Sequence, residues 1–210
     1  MSASIKKSRG RPRTKPAEQR RDDLLDAAQR LFLDQGFIPT TIDQIAAAAG
    51  VAKGTVYLYF ASKDEIRGAL GERFARKHLA FMQKAVADAP ERPLEAWAEA
   101  SVAFYLEALK LHDMLFFEAN IVTREGLVDN LAIDHLTELL ASGTEEPRAL
   151  AVFLFSGIHA VIDDAVTKEN PVDRDRLTAR VKALLAKVTG ESPAPRPQRK
   201  RAEPRQGTLF

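Results

Sequence analysis

Residues 50–60 read GVAKGTVYLYF. Two glycines, a lysine and three aromatic rings in so short a span suit neither a buried helix nor an ordinary loop. Glycine is unfavourable inside a helix, and a solvated loop gives no reason to hold Tyr57, Tyr59 and Phe60. The flanks resolve the conflict. Upstream, TTIDQIAAAA places Ile42, Ile45, Ala46 and Ala49 on one helical face. Thr41 followed three residues later by Gln44 is a capping-box spacing, and Gly50 ends that helix. A turn follows, and a short helix takes Lys53 to Tyr59. Beyond Phe60 and Ala61, Ser62 and Glu65 repeat the capping-box spacing and open a long helix from about Lys63 to Ala87.

Two short helices joined by a tight glycine-bearing turn predict a helix-turn-helix, whose second helix enters the DNA major groove. Ala52, Gly54 and Thr55 are small and let that backbone come close to the bases. Lys53 can donate to a guanine edge or a phosphate. Tyr57 and Tyr59 carry rigid rings with a hydroxyl, suited to phosphate or base contact. Val56 and Phe60 are expected to face inward and lock the helix to its neighbours.

The rest of the chain reads as helix. Leu24, Leu25, Ala28, Leu31 and Phe32 recur at helical spacing in a helix from about Glu18 to Gln35, ended by Gly36. Pro90 and Pro93 break the chain after the long fourth helix. Helices are then expected from Pro93 to about Lys110, over 113–122, over 124–141 and from Pro147 to about Lys168. A final helix is capped by Asp173 and stopped by Gly190. The fold class is therefore all-α, with about nine helices. It divides into a basic arm (1–17), a helix-turn-helix domain (18–64), a ligand-binding and dimerisation domain (65–190) and a basic tail (191–210).

The segment TTIDQIAAAAGVAKGTVYLYFASKDEI resembles the DNA-binding signature of TetR-family regulators. The resemblance spans about residues 18–66 and includes Gly36-Phe37, Ile45-Ala46, Gly50-Val51, Thr55, Tyr57, Tyr59-Phe60 and Lys63. It implies a homodimeric, usually repressing regulator whose C-terminal domain takes a small ligand and changes the separation of two DNA-reading heads. By that similarity Thr41, Thr55, Tyr59 and Lys63 would hold phosphates, Thr41 at a helix N-terminus where the dipole favours an anion. Ala52, Lys53, Gly54 and Tyr57 would face base edges, Lys53 and Tyr57 carrying most of the direct readout. The family's length and helix count fit the remainder of the chain, which carries no specific motif of its own.

Charge is distributed unevenly. Residues 1–21 hold eight basic side chains against Glu18, residues 191–210 hold five against Glu191 and Glu203, and the body between them is acidic, so the net +2 hides two basic ends. Basic ends on an acidic body point to a polyanion met at the ends. Within the first of them Arg9-Gly10-Arg11-Pro12 resembles an AT-hook core, which implies Arg9 and Arg11 in a narrow minor groove. The chain ends QGTLF. A terminal Leu-Phe pair after a polar tail resembles the bacterial sliding-clamp binding motif, implying Gln206, Leu209 and Phe210 as contacts; Gly207 departs from that motif, where a larger residue is usual.

In the C-terminal domain the helix over 147–168 carries an apolar stripe with Leu154, Ile158 and Val161, and the last helix offers Leu177, Val181 and Leu184. Two such helices from each subunit, paired about a twofold axis, would make a four-helix dimer interface. Phe81, Trp97, Phe104, Tyr105, Phe116, Phe117 and His159 are candidates for an effector pocket, for which an apolar or aromatic ligand is the expected kind. The four histidines lack metal-ligand spacing, so no metal and no cofactor is expected. No G-x-S-x-G, phosphate-binding glycine loop or paired-carboxylate arrangement stands out, so no enzyme is expected. Absence of cysteine excludes disulfides and thiolate chemistry. No run of about 18 apolar residues suggests a membrane span. The basic N-terminus has no apolar stretch behind it, unlike a secretory signal. The expected place of action is the bacterial cytoplasm, at the nucleoid.

Overall fold

Local signals in the sequence set most of the helix ends. A computed structural model describes residues 16–116, 130–169 and 171–190. Among these the chain forms eight α-helices and no strand. They are α1 (Ala17–Gln35), α2 (Ile42–Ala48), α3 (Lys53–Tyr57), α4 (Lys63–Asp88), α5 (Pro93–Phe116), α6 (Leu131–Leu140), α7 (Pro147–Lys168) and α8 (Arg174–Thr189). The capping box at Thr41 is formed in full: the Gln44 N–H donates to Thr41 Oγ1 and the Thr41 N–H donates to Gln44 Oε1. The Asp173 carboxylate accepts from the Arg176 N–H, and Gly190 closes α8 in the left-handed conformation.

One break anticipated in the sequence is absent. Residues 93–116 form a single helix, α5, with no interruption near 111–112. Between Leu94 and Phe116 there is neither glycine nor proline to stop it. Residues 113–116, anticipated to open a separate helix over 113–122, continue α5, and the helix anticipated over 124–141 is present in its described part as α6; residues 117–129 lie outside the described set.

The chain folds as two compact units. Of the described residues, the first unit takes those up to His78 and those between Glu107 and Leu131, and the second takes 79–106 and those from Ala132 to Gly190. The sequence reading drew its boundary at 64/65. The first part of α4 instead belongs with the helix-turn-helix, because Arg73 on α4 donates to Asp26 (2.7 Å) and Gln29 (2.6 Å) on α1.

In the first unit Leu24, Leu25, Ala28 and Phe32 of α1 pack with Ile45, Val56, Phe60, Ile66 and Leu70, all essentially without solvent exposure. Phe32 meets Phe37 edge-to-face at 5.1 Å, and the Arg67 guanidinium lies 4.3 Å from the centre of the Phe37 ring. Phe74, His112 and Phe116 form a second aromatic cluster in this unit.

In the second unit Trp97 is fully buried, with Met82, Val102, Ile133, Leu136 and Ile162 as further core residues. On α7, Ala151, Leu154, Ile158, Ile162 and Ala165 face inward, and α8 buries Leu177, Val181 and Leu185. By length and composition alone α7 is long and apolar enough to cross a membrane. Here its buried residues belong to the core of this unit and its other face carries Phe153, Ser156, Gly157 and Ala160 outward. Lys182 joins α8 to α5 through Glu95 (3.0 Å) and Glu99 (2.5 Å). Burial disfavours the charge on Lys182, but the hydrogen bonds to these carboxylates outweigh it and raise its pKa.

Candidate nucleic-acid interface

The turn between α2 and α3 is built from backbone bonds that need a glycine. The Val51 N–H reaches Ala46 O (2.9 Å) and the Gly50 N–H reaches Ala47 O (3.1 Å). These are the two bonds of a Schellman closure, with Gly50 at φ 66°. A side chain at Gly50 would be strained there. The closure fixes where α3 starts.

Helix α3 then presents two faces. Val56 and, just beyond the helix, Phe60 are buried and tie it to α1 and α2. Ala52, Lys53 and Gly54 are exposed, Tyr57 is 50% exposed, and Thr55 and Tyr59 are half-buried. The four residues anticipated at base edges therefore share the solvent side of one short element. A Cβ placed on Gly54 would meet nothing within 4 Å, and its backbone needs no glycine. Its missing side chain leaves clearance toward solvent, where a duplex would approach.

Lys53 is not free-standing. Its ammonium donates to Asp43 Oδ2 on α2 at 2.8 Å. Sequence reading missed this partner because ten residues and a turn separate the two. Leu58, 82% exposed, and Ile38, 79% exposed, were also missed. Both are large apolar residues on the surface of the head, and a burial pattern read from spacing alone assigned them no role.

The anticipated phosphate contacts divide. Thr55 and Tyr59 keep partly exposed side chains. The Thr41 hydroxyl is engaged with Gln44 in the capping box, accepting from its N–H and donating to Oε1. Lys63 differs most from expectation. Its ammonium donates to three backbone carbonyls, Phe37 O (2.7 Å), Ile38 O (3.0 Å) and Thr40 O (2.8 Å), and lies 4.4 Å from the Phe37 ring centre. An ammonium has three donors, so these bonds use its whole capacity. In this structure Lys63 staples the loop between α1 and α2 rather than pointing toward a phosphate. Lys63→Met is expected to destabilise the first unit by about 2 kcal/mol, because charged donors are removed from three carbonyls. Urea unfolding measures this. A variant with unchanged stability and a salt slope reduced by about 0.9 would instead mark a phosphate contact.

Arg9, Arg11, Phe117, Gln206, Leu209 and Phe210 lie outside the described residues. The other anticipated pocket residues are divided between the two units. Phe116 belongs to the first unit, against Phe74 and His112. In the second unit Trp97 is sealed in the core beside Phe155. Tyr105 is buried; its hydroxyl donates to Asp163 and its ring meets His159 edge-to-face at 5.4 Å. Phe81 pairs with Phe104 at 5.6 Å. Of these residues Phe81 alone lines the groove of about 340 Å³ in the second unit, whose walls are otherwise alanines and the charged Asp88, Arg92, Glu99 and Arg174.

The residues anticipated at a dimer interface differ in exposure. Leu154, Ile158, Leu177 and Val181 are buried within the single chain and Val161 is half-buried; only Leu184, at 43% exposure, faces out. Apolar residues surround most of α7, so periodicity marked a stripe without showing what covers it. On α7 and α8 the exposed large apolar residues are Phe153 (63% exposed), Leu184 and Val188.

Residues 24–70 match the family model for bacterial regulatory proteins of the tetR family. The chain is 30% identical over 145 residues to the transcriptional repressor KstR2 of Mycolicibacterium smegmatis, covering 61% of this chain and 68% of that protein. The chain belongs to the TetR family. It is also 27% identical over 173 residues to the transcriptional activator FasR of the same organism, covering 76% of this chain and 78% of that protein. A solved structure of the fatty acid degradation regulator FadR from Bacillus halodurans matches 85% of this chain and 97% of its own, at 26% identity and a TM-score of 0.58. TetR-family membership makes the chain a DNA-binding transcriptional regulator.

Proposed function

We propose that the chain is a homodimeric, ligand-responsive repressor of a near-palindromic operator. The observation that carries this reading is a pair of exposed surfaces, each incomplete alone. One is the solvent side of α3, too short to specify more than a few base pairs. The other is the apolar set Phe153, Leu184 and Val188, flanked on α7 by the small exposed residues Ser156, Gly157 and Ala160. A Cβ on Gly157 would meet nothing in this chain, so a partner helix has room to come close. Covering this face with its twofold copy hides the apolar groups and duplicates the reading helix. Successive recognition helices then lie about 34–36 Å apart, one turn of DNA.

Arg9 and Arg11, by their likeness to an AT-hook core, extend the contact into an adjacent minor groove. An apolar or aromatic effector acts only through unequal affinity for the DNA-competent and DNA-incompetent states. Repression follows from occupying the operator. The repressor KstR2 among the relatives supports that sign, while FasR shows that family members also activate. The reading is tested by the mass of the protein in solution. Twice the 23.2 kDa of one chain is expected; a monomer at micromolar concentration contradicts it.

A further inference from the structure

From Thr40 to Phe60 the chain carries two formally charged side chains, Asp43 and Lys53. They are paired, 2.8 Å apart, across the turn that joins α2 to α3. Both remain largely in solvent, Lys53 at 52% and Asp43 at 65% side-chain exposure. The DNA-facing part of the head is therefore electrically neutral, which is unusual for a surface that meets a polyanion. The pairing also constrains geometry. An ammonium has three N–H donors. One is directed at Asp43, which leaves two, the number that the O6 and N7 acceptors of guanine require. A phosphate brought to the same ammonium would face the Asp43 carboxylate and be repelled by it, whereas the uncharged guanine edge would not.

We propose that Asp43 is a specificity-determining residue, holding Lys53 as a guanine reader and turning it away from the phosphate backbone. This rests on α3 entering the major groove. Asp43 touches no base; it acts through Lys53. The hydrogen bond from Lys53 to Asp43, with the carboxylate's charge, also raises the lysine's pKa above its usual value.

The experiment uses the full-length wild type, Asp43→Asn, Asp43→Glu, Lys53→Ala and the Asp43→Asn/Lys53→Ala double variant. Each is titrated with a duplex that the wild type has selected from a random pool, with copies altered at each guanine, and with unselected duplex, over a salt series. In Asp43→Asn, Lys53 is released to a phosphate. Binding to unselected duplex should tighten about tenfold, with a salt slope steeper by about 0.9. Preference for guanine at one position of each half-site should fall about tenfold, within the usual discrimination of a bidentate pair. Asp43→Glu keeps the charge and should retain most of the preference. In the Lys53→Ala background the Asp43→Asn change should have no effect on that preference, because the coupling partner is gone. Unchanged discrimination in Asp43→Asn, or an equal loss with and without Lys53, overturns the role of Asp43. A wild type that selects no sequence overturns the DNA-reading premise instead. Both side chains are exposed, so equal thermal midpoints are expected across the set.

Discussion

Phe153→Asp combined with Leu184→Asp is expected to convert the proposed dimer to a monomer and to weaken operator binding at least about a hundredfold, equivalent to ~2.7 kcal/mol. Both side chains are exposed in the single chain, at 63% and 43%, so the substitutions leave the internal core intact. Helices α7 and α8 pack on each other and are joined by a short connection, which makes them antiparallel neighbours. That places the early part of α7, with Phe153, near the late part of α8, with Leu184. In a twofold pair each aspartate would be buried opposite an apolar surface, and an unpaired carboxylate in such a place costs several kcal/mol. Losing the partner also loses the second reading helix, so affinity falls through the effective concentration of that second contact. Light scattering measures the mass and a gel-shift titration the affinity. A variant that stays dimeric with unchanged affinity places the interface elsewhere.

Trp97→Ala is expected to destabilise the protein by about 3–5 kcal/mol, the range for truncating a large buried aromatic. Trp97 has no solvent exposure and packs beside Phe155. Its backbone carbonyl accepts from the buried Ser101 hydroxyl at 3.0 Å. Its indole Nε1 is buried without a hydrogen-bond partner among the described residues. The benefit of the side chain is therefore apolar burial, reduced by one orphaned donor. Trp97→Phe removes that donor with less loss of volume and should lie much closer to the wild type. Thermal or urea unfolding distinguishes the two variants. A mild effect of Trp97→Ala would mean that the indole sits at a cavity wall, as first anticipated, rather than in a close-packed core.

The difference between what sequence could and could not give here has a simple physical form. Helix ends governed by near neighbours were legible: the Thr41–Gln44 box, the Asp173 cap, Pro147 opening α7, and Gly50 and Gly190 as terminators. Each depends on interactions within about one turn. The inward and outward sides of α3 were also legible, because a five-residue helix offers few alternatives once Val56 and Phe60 are assigned to the core. What was not legible depended on longer-range packing. Leu154, Ile158, Leu177 and Val181 form proper apolar stripes, but a stripe does not say whether its partner is the same chain or a second copy. Lys63 is drawn to the carbonyls of Phe37, Ile38 and Thr40, more than twenty residues away in sequence. The Asp43–Lys53 pair exists only once the turn at Gly50 has folded the two helices together. Spacing marks the aromatic residues of the second unit as apolar without telling core from pocket lining; Trp97 and Tyr105 are both buried.

The most direct measurement of the central claim is selection of bound duplexes from a random DNA pool at physiological salt. Two copies of the reading helix related by a twofold axis should enrich an inverted repeat, its half-sites centred about 10 bp or a small multiple of that apart, with at least one guanine held constant in each half. Enrichment of a single unrepeated site, or no enrichment of any sequence over the starting pool, would contradict the claim.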